Sequence, residues 1–371
     1  MKRTVLILTT HLGGGHMNLA QSLKDRLEAY YNVVIVNPQP AIVDWGYATA
    51  SRHSVKLLEW EYLLTDNEQA SLWLHRFLTI SDRKRILDVL QRVQPHLIIV
   101  THAMLSYATA RAIESLPERV PLVFQLTDLG QLHMTWFTER QVDAYLVPTR
   151  EIYAQALQMG VSEQRLHLTG RPIRNQFLEL PQPGKEILLT SLGFDPSVFT
   201  IFLQGGAKGS AGVERIVNDL LAMPVPVQII LAAGNNTAIA ARYAHSRQIH
   251  VLPFTETVAP YMAAVDVIAG KAGASFISEA FMVEKPFVAT TYIPGQETAN
   301  LRFIEQHNLG WVCLEASAQQ ALFTWLANNP ADLAGKVESS RSYKAWNVQA
   351  NQRIVPVIDD VLESKADVIG L

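Results

Sequence analysis

Cysteine is almost missing: Cys313 is the only one among 371 residues. A single thiol excludes an intrachain disulfide framework and a cysteine-based zinc cluster, and it fits a reducing compartment. An excess of either charge is missing too. The chain has 31 Lys+Arg against 34 Asp+Glu, a formal net charge of −3, so nothing global points to nucleic acid as a partner. No run approaches the roughly 20 apolar residues needed to span a bilayer. The N-terminal MKRTVLILTTHLGGGH has a basic start and an apolar stretch. That stretch is short and breaks into His and Gly without a small-residue cleavage site, so it reads as a buried first strand and not as a signal peptide.

What is present is apolar and alternating. With 49% hydrophobic and 18% charged residues, the chain is long enough for two α/β domains, each with its own core. Residues 5–8, 33–36, 97–100, 122–126 and 144–147 are short apolar runs of the kind buried in parallel sheets. Between the first two, Leu19, Leu23, Leu27 and Tyr30 recur at helical spacing. Strand, helix, strand is the unit of a doubly wound sheet. Residues 169–187 are punctuated by Gly170, Pro172, Pro181, Pro183 and Gly184, as in a linker. The alternation then restarts, with strands expected at 200–203, 228–231, 249–252, 265–269, 287–289 and 311–313. The sequence thus predicts an α/β protein of two Rossmann-like doubly wound domains facing across a cleft. The expected divisions are 1–178, 179–341, and a helical segment 342–371 that packs back on the first domain.

Glycine is concentrated where strands run into helices. The first strand ends in Thr9-Thr10-His11-Leu12-Gly13-Gly14-Gly15-His16. Glycines let the backbone turn sharply and approach a ligand, and the helix start that follows suits an anion. The loop has neither the Gly-Lys-Ser/Thr of a P-loop nor GxGxxG, so a nicotinamide cofactor is not favoured. A second such loop, Gln204-Gly205-Gly206-Ala207-Lys208-Gly209-Ser210, opens the second half. The two are expected at the carboxyl ends of their sheets, where such folds bind ligands.

A third stretch is more specific. Gly270-Lys271-Ala272-Gly273-Ala274-Ser275 leads into a helix carrying Ser278 and Glu279. Pro294-Gly295-Gln296-Glu297-Thr298-Ala299-Asn300 follows the next strand. In the first half stand Thr127-Asp128-Leu129, His133, Trp136-Phe137, Val147-Pro148-Thr149, and Gly170-Arg171-Pro172-Ile173-Arg174 with Phe177. In this order the motifs resemble the glycosyltransferase family of monogalactosyldiacylglycerol synthase and bacterial diacylglycerol glucosyltransferases, with the MurG enzyme of peptidoglycan synthesis as a more distant relative. The resemblance runs from about residue 4 to about residue 315.

The resemblance implies a GT-B fold and inverting, metal-independent transfer of a hexose from a UDP-sugar, UDP-galactose or UDP-glucose, to a diacylglycerol-like lipid. No cofactor beyond the donor substrate is implied. The chain contains no Asp-x-Asp, the usual metal anchor of the other glycosyltransferase fold. Glu279 matches the position that takes the ribose hydroxyls; a carboxylate accepts from two neighbouring hydroxyls at once. Gln296, Glu297 and Asn300 match the sugar-contacting segment, and Phe254 the uracil position. Gly270, Gly273, Ala274 and Ser275 form a helix start that would stabilise the leaving diphosphate, with Gly205, Gly206 and Lys208 approaching from the other side.

His16 is the expected general base, because histidine is poised near neutral pH. Asp128 is the competing candidate, or the partner that orients the base. His11 departs from the family, which usually has a small or acidic residue there, and is a second competitor. Gly14, Gly15, His133 and Trp136 are expected on the acceptor side.

Residues 42–85 hold Trp45, Tyr47, Trp60, Tyr62, Trp73 and Phe77, followed by Arg83, Lys84 and Arg85. Aromatics beside basic residues suit a membrane interface, although a pair of buried helices explains them equally well. The expected location is the cytoplasmic face of a membrane, as a peripheral protein. Alternatives are transfer to a peptidoglycan precursor or a small molecule, and a UDP-N-acetylglucosamine 2-epimerase-like enzyme of the same fold.

Overall fold

A computed structural model describes residues 2–11, 14–40, 60, 62–179, 183–204, 213–234 and 236–369. The expected site residues Gly205, Gly206 and Lys208, and the aromatics Trp45 and Tyr47, lie outside them.

The chain divides into two compact units. Unit 1 comprises residues 1–174, 294–299 and 346–371, and unit 2 residues 175–293 and 300–345. The first boundary thus falls at 174/175, not at the expected 178/179. The second expected break, at 341/342, lies inside a continuous helix, because residues 336–351 contain neither Pro nor Gly to end it.

In unit 1 six parallel strands lie in the order β2-β1-β3-β4-β5-β6. They are β1 Thr4–Leu8, β2 Asn32–Val36, β3 Leu97–Val100, β4 Leu122–Gln125, β5 Ala144–Val147 and β6 Leu166–Leu168. The helices are α1 Gly15–Leu27, α2 Glu68–Val93, α3 Ala103–Ile113 and α4 Arg150–Gln158. Side chains alternate across a strand, so β1 serves two cores. Val5 and Ile7 pack with Ala20, Leu23 and Leu27 of α1. Leu6 and Leu8 pack with Ile86, Val89 and Leu90 of α2 and with Leu105 and Ala108 of α3. All four β1 side chains are fully buried, each contributing about 1.5–3 kcal/mol relative to exposure.

In unit 2 six parallel strands lie in the order β12-β11-β10-β7-β8-β9. They are β7 Phe199–Gln204, β8 Val227–Gly234, β9 Ile249–Pro253, β10 Val267–Lys271, β11 Phe287–Thr291 and β12 Gly310–Val312. The remaining helices of the chain, in order, are α5 Lys185–Ser191, α6 Val213–Leu221, α7 Thr237–Tyr243, α8 Ala259–Ala264, α9 Ala274–Met282, α10 Thr298–Gln306, α11 Ala316–Asn328, α12 Pro330–Asn351 and α13 Ile354–Ile369. Strand β10 starts two residues later than expected, because Val265 closes α8 as its C-cap.

The last helix belongs to unit 1. Ile354, Val357, Ile358 and Leu362 of α13 join Val5, Ile7, Leu97 and Ile99 in one core.

Candidate active site

The carboxyl ends of β1 and β3 bring His16 and His102 together in unit 1, and Asp128 follows β4. After β1 the chain turns at Gly14, whose φ of 78° is left-handed and suits glycine, and then enters α1. His16 sits in its first turn. Its Nδ1 lies 2.9 Å from the carbonyl oxygen of Thr101, just after β3. A carbonyl only accepts, so Nδ1 carries the hydrogen and Nε2 keeps the lone pair in the neutral ring. Burial, chiefly, lowers the pKa of His16 to about 4; the Thr101 bond opposes this and the Arg171 charge adds to it. The residue as a whole keeps some accessible surface, but enough protein surrounds it to disfavour the cation. A neutral imidazole with a free lone pair is the form a general base requires.

His102 was not singled out in the sequence. Its ring meets that of His16 edge-on, with centroids 4.3 Å apart. It caps α3 by accepting at Nδ1 from the Met104 N–H at 3.2 Å, and burial holds it well below the ordinary histidine pKa. The available signal was its place, directly after the carboxyl end of a fully apolar strand, where open α/β sheets bind ligands.

Asp128 follows β4, half-buried, with Thr127 Oγ1 3.2 Å from its carboxylate. The partner that orients His16 is therefore the Thr101 carbonyl and not Asp128. Asp128 acts instead on Tyr62, whose hydroxyl is pushed upward by burial first and then by the charges of Asp128 and Asp66. His11 is exposed.

His133 and Trp136 are committed elsewhere. His133 Nδ1 accepts from the Thr135 N–H at 3.2 Å and pairs with Thr135 Oγ1 at 2.9 Å. Its Nε2 lies 3.1 Å from the Tyr62 carbonyl oxygen and 3.2 Å from Thr65 Oγ1. Nδ1 thus closes the turn at residues 133–135, and Nε2 ties that turn to residues 62–65. Trp136 is 3% exposed and packs edge-on against Phe124, so it is a core residue and does not line a surface on the acceptor side.

In unit 2 the Gly-rich loop of residues 270–275 follows β10. Gly270, next to last in β10, pairs with Gln204 of β7, and a Cβ there would lie 2.6 Å from the Gln204 carbonyl oxygen. The chain then turns tightly: the Gly273 N–H donates to Lys271 O at 2.7 Å and the Ala272 N–H to Thr291 O at 2.9 Å. Gly273 is the N-cap of α9 and supplies no side chain, leaving the positive end of the helix dipole uncovered by its own residues. Ala274 is buried and Ser275 half-buried at that end. Glu279 lies on the second turn, 9% exposed. Phe254, just past β9, is 69% exposed, which leaves its ring face free to stack.

Asn300 is fully buried and its Nδ2 donates to Ala272 O at 3.1 Å. It braces the loop of residues 270–275 from within. Glu297 is 5% exposed and Gln296 half-buried. Both belong to unit 1 by their contacts, whereas Glu279 and Asn300 belong to unit 2. Among the described residues no group of three or more His, Cys, Asp or Glu could hold a metal ion.

The fold is that of the GT-B glycosyltransferases. It matches the crystal structure of Acinetobacter baumannii MurG with a TM-score of 0.63 at 15% identity, over 96% of this chain and 99% of that one. It matches Anabaena Alr3699/HepE in complex with UDP and glucose with a TM-score of 0.59 at 15% identity, over 96% and 100%. Residues 16–173 match the family described as monogalactosyldiacylglycerol (MGDG) synthase. Residues 200–345 match the glycosyltransferase family 28 C-terminal domain. Among curated relatives, monogalactosyldiacylglycerol synthase 3, chloroplastic, of Arabidopsis thaliana is 25% identical over 97% of this chain and 81% of its own length. Probable monogalactosyldiacylglycerol synthase 2, chloroplastic, of Oryza sativa subsp. japonica is 28% identical over 83% and 70%. The chain is therefore a glycosyltransferase of the GT-B class. Its first half is similar to the MGDG synthase family and its second to the family 28 C-terminal domain.

Proposed function

We propose that the chain transfers galactose or glucose from its UDP-sugar to the free hydroxyl of a diacylglycerol-like lipid, with inversion and without a required metal, at a membrane surface. The observation that carries this reading is the His16 imidazole, neutral and with Nε2 available, in the domain that matches MGDG synthase. Nε2 takes the proton of the acceptor hydroxyl as its oxygen attacks the anomeric carbon. The bond from that carbon to the phosphate oxygen breaks, and UDP leaves with the electron pair. Negative charge grows on the diphosphate, and the α9 terminus with its preceding glycines is suited to stabilise it. Glu279 would accept from the ribose hydroxyls and Phe254 would stack on uracil. The UDP in the HepE structure supports a uridine donor.

A lipid acceptor needs access to a membrane, and helix α2 supplies a suitable face. Trp73, Phe77 and Ile80 are 69%, 61% and 82% exposed at spacings that share one side of a helix. The rings of Trp73 and Phe77 stack at 5.9 Å. Trp60, Leu63 and Leu64, shortly before, are also exposed. Arg76, Arg83, Lys84 and Arg85 are exposed along the same helix, where they would meet anionic headgroups. Among the described residues no helix is long and apolar enough to cross a membrane.

The test is release of UDP from UDP-galactose and UDP-glucose, with and without diacylglycerol in anionic vesicles, in EDTA. Release that depends on diacylglycerol supports the reading and identifies the sugar. UDP-sugar binding without lipid-dependent release would reject the lipid acceptor and leave the donor site standing.

A further inference from the structure

The first sheet reverses its direction of growth at β1: β2 lies on one side of it, and β3 to β6 continue on the other. In open α/β sheets, ligands bind in the crevice outside the carboxyl ends of the strands at such a reversal. A histidine stands at each flank of it. His16 follows β1 and His102 follows β3, and their rings meet edge-on with centroids 4.3 Å apart. The backbone sets the two rings in opposite tautomers. The Thr101 carbonyl accepts the Nδ1 hydrogen of His16, which leaves Nε2 with a lone pair. The Met104 N–H donates to Nδ1 of His102 at 3.2 Å, so the hydrogen of that neutral ring is on Nε2. His102 is 9% exposed, and its Nε2–H has no acceptor among the described residues. A donor so enclosed is costly if it stays unpaired. Capping α3 does not account for it: a cap needs only an acceptor, which Ser, Thr, Asp or Asn supplies. Two neighbouring imidazoles thus present one acceptor and one donor at the same crevice.

We infer that His102 is a specificity-determining residue of the acceptor site: its Nε2–H holds the ester carbonyl oxygen next to the free hydroxyl of a diacylglycerol, while His16 Nε2 receives the hydrogen of that hydroxyl. The inference rests on the reading of a lipid as acceptor and of His16 as base. An ester carbonyl accepts hydrogen bonds and offers none, so it pairs with His102 Nε2–H and not with His16 Nε2. The free hydroxyl is the one donor of a diacylglycerol, and it is what His16 Nε2 can accept from. The match therefore has a single sense, with the reacting oxygen at His16 and the ester on the neighbouring carbon at His102. This arrangement also keeps the donor off the nucleophile. A hydrogen bond given to the attacking oxygen would withdraw the electron density that forms the new bond, whereas one given to the neighbouring carbonyl only orients the lipid. Holding the hydroxyl in one orientation for attack is itself a source of rate.

The test compares 1,2-diacylglycerol with a 1,2-dialkylglycerol of the same chain lengths, which keeps the hydroxyl and lacks both carbonyls. Each is presented to the full chain in anionic vesicles, with UDP-galactose and UDP-glucose as donors, and UDP release gives kcat/KM for each lipid. His102→Asn keeps an acceptor for the α3 cap and removes the Nε2 donor. The ratio of diacyl to dialkyl kcat/KM should fall in this variant by roughly 3- to 10-fold from wild type, the worth of one hydrogen bond. His102→Gln carries an amide N–H in place of the lost donor and should keep part of the preference. A merely structural role lowers both lipids alike and leaves the ratio unmoved. An unmoved ratio in His102→Asn therefore overturns the inference. His102→Ser, which can also cap, replaces His102→Asn if that variant does not fold. Wild-type protein that releases UDP with neither lipid would instead overturn the lipid reading itself, a result that no ratio imitates.

Discussion

The Nδ1 of His16 lies 2.9 Å from the carbonyl oxygen of Thr101, and this contact decides which nitrogen of the ring can act. Because a carbonyl offers no proton, the imidazole is held as the Nδ1–H tautomer. A carboxylate in that position would raise the ring's proton affinity; a peptide carbonyl raises it less. His16 therefore combines a fixed orientation with a low pKa.

Replacing His16 with Ala should lower turnover by about 10²-fold or more while leaving UDP affinity unchanged, as measured by steady-state kinetics and calorimetry. The pH dependence has a definite sign. The base acts when neutral, so with a pKa of about 4 activity should be level from neutral pH down to about 5 and fall only below that. A limb centred near the ordinary histidine value of about 6.5 would assign the proton transfer to a different group.

Glu279→Ala should weaken UDP binding by about 1.5–3 kcal/mol, through loss of a charged acceptor. That is roughly 10- to 150-fold in Kd. Calorimetry with UDP alone reads this without an acceptor. An unchanged Kd would place the ribose elsewhere.

The α2 face should bind membranes through its apolar residues and its charges together. Trp73→Ser/Phe77→Ser/Ile80→Ser should remove most of the flotation with anionic vesicles, while solution binding of UDP stays intact. These side chains are exposed, so thermal stability should change by less than about 0.5 kcal/mol per site. Flotation equal to wild type would show that α2 does not dock.

Gly270→Ala should destabilise unit 2. The added methyl would meet the Gln204 carbonyl oxygen of the neighbouring strand at 2.6 Å and the Phe276 ring at 2.9 Å. Backbone cannot retreat as a flexible side chain can, so a cost of about 1–3 kcal/mol is expected, together with weaker UDP binding. Chemical denaturation would show a lowered midpoint; an unaltered midpoint would mean that β7 and β10 separate more readily than their pairing implies.

The strands were legible in the sequence because parallel strands are buried on both faces and read as unbroken apolar runs. The exceptions have local causes. Leu166–Leu168 is three residues long with a histidine at its centre, too short to show a pattern. Side-chain direction was less legible than position. Trp136 and His133 stand in one short motif, yet one ring enters the core and the other spans two loops. Asn300 falls where a sugar-contacting residue was expected, but its amide turns inward to Ala272. Spacing along the chain does not encode such choices, which depend on which backbone groups lack a partner. His102 escaped notice for a similar reason: its role comes from the ring of His16, far away in the sequence.

The closing helix α13 has a consequence for how the chain comes off the ribosome. One face of the first sheet is covered partly by Ile354, Val357, Ile358 and Leu362, which follow the whole of unit 2 in the chain. Domains tend to fold in the order of synthesis, at about 5–20 residues per second. Here the domain that emerges first must wait, with Val5, Ile7, Leu97 and Ile99 incompletely covered, until the whole of the other has been translated. Unit 1 is begun before unit 2 and finished after it, so a nascent chain arrested before residue 354 would display an apolar sheet face that the folded unit conceals.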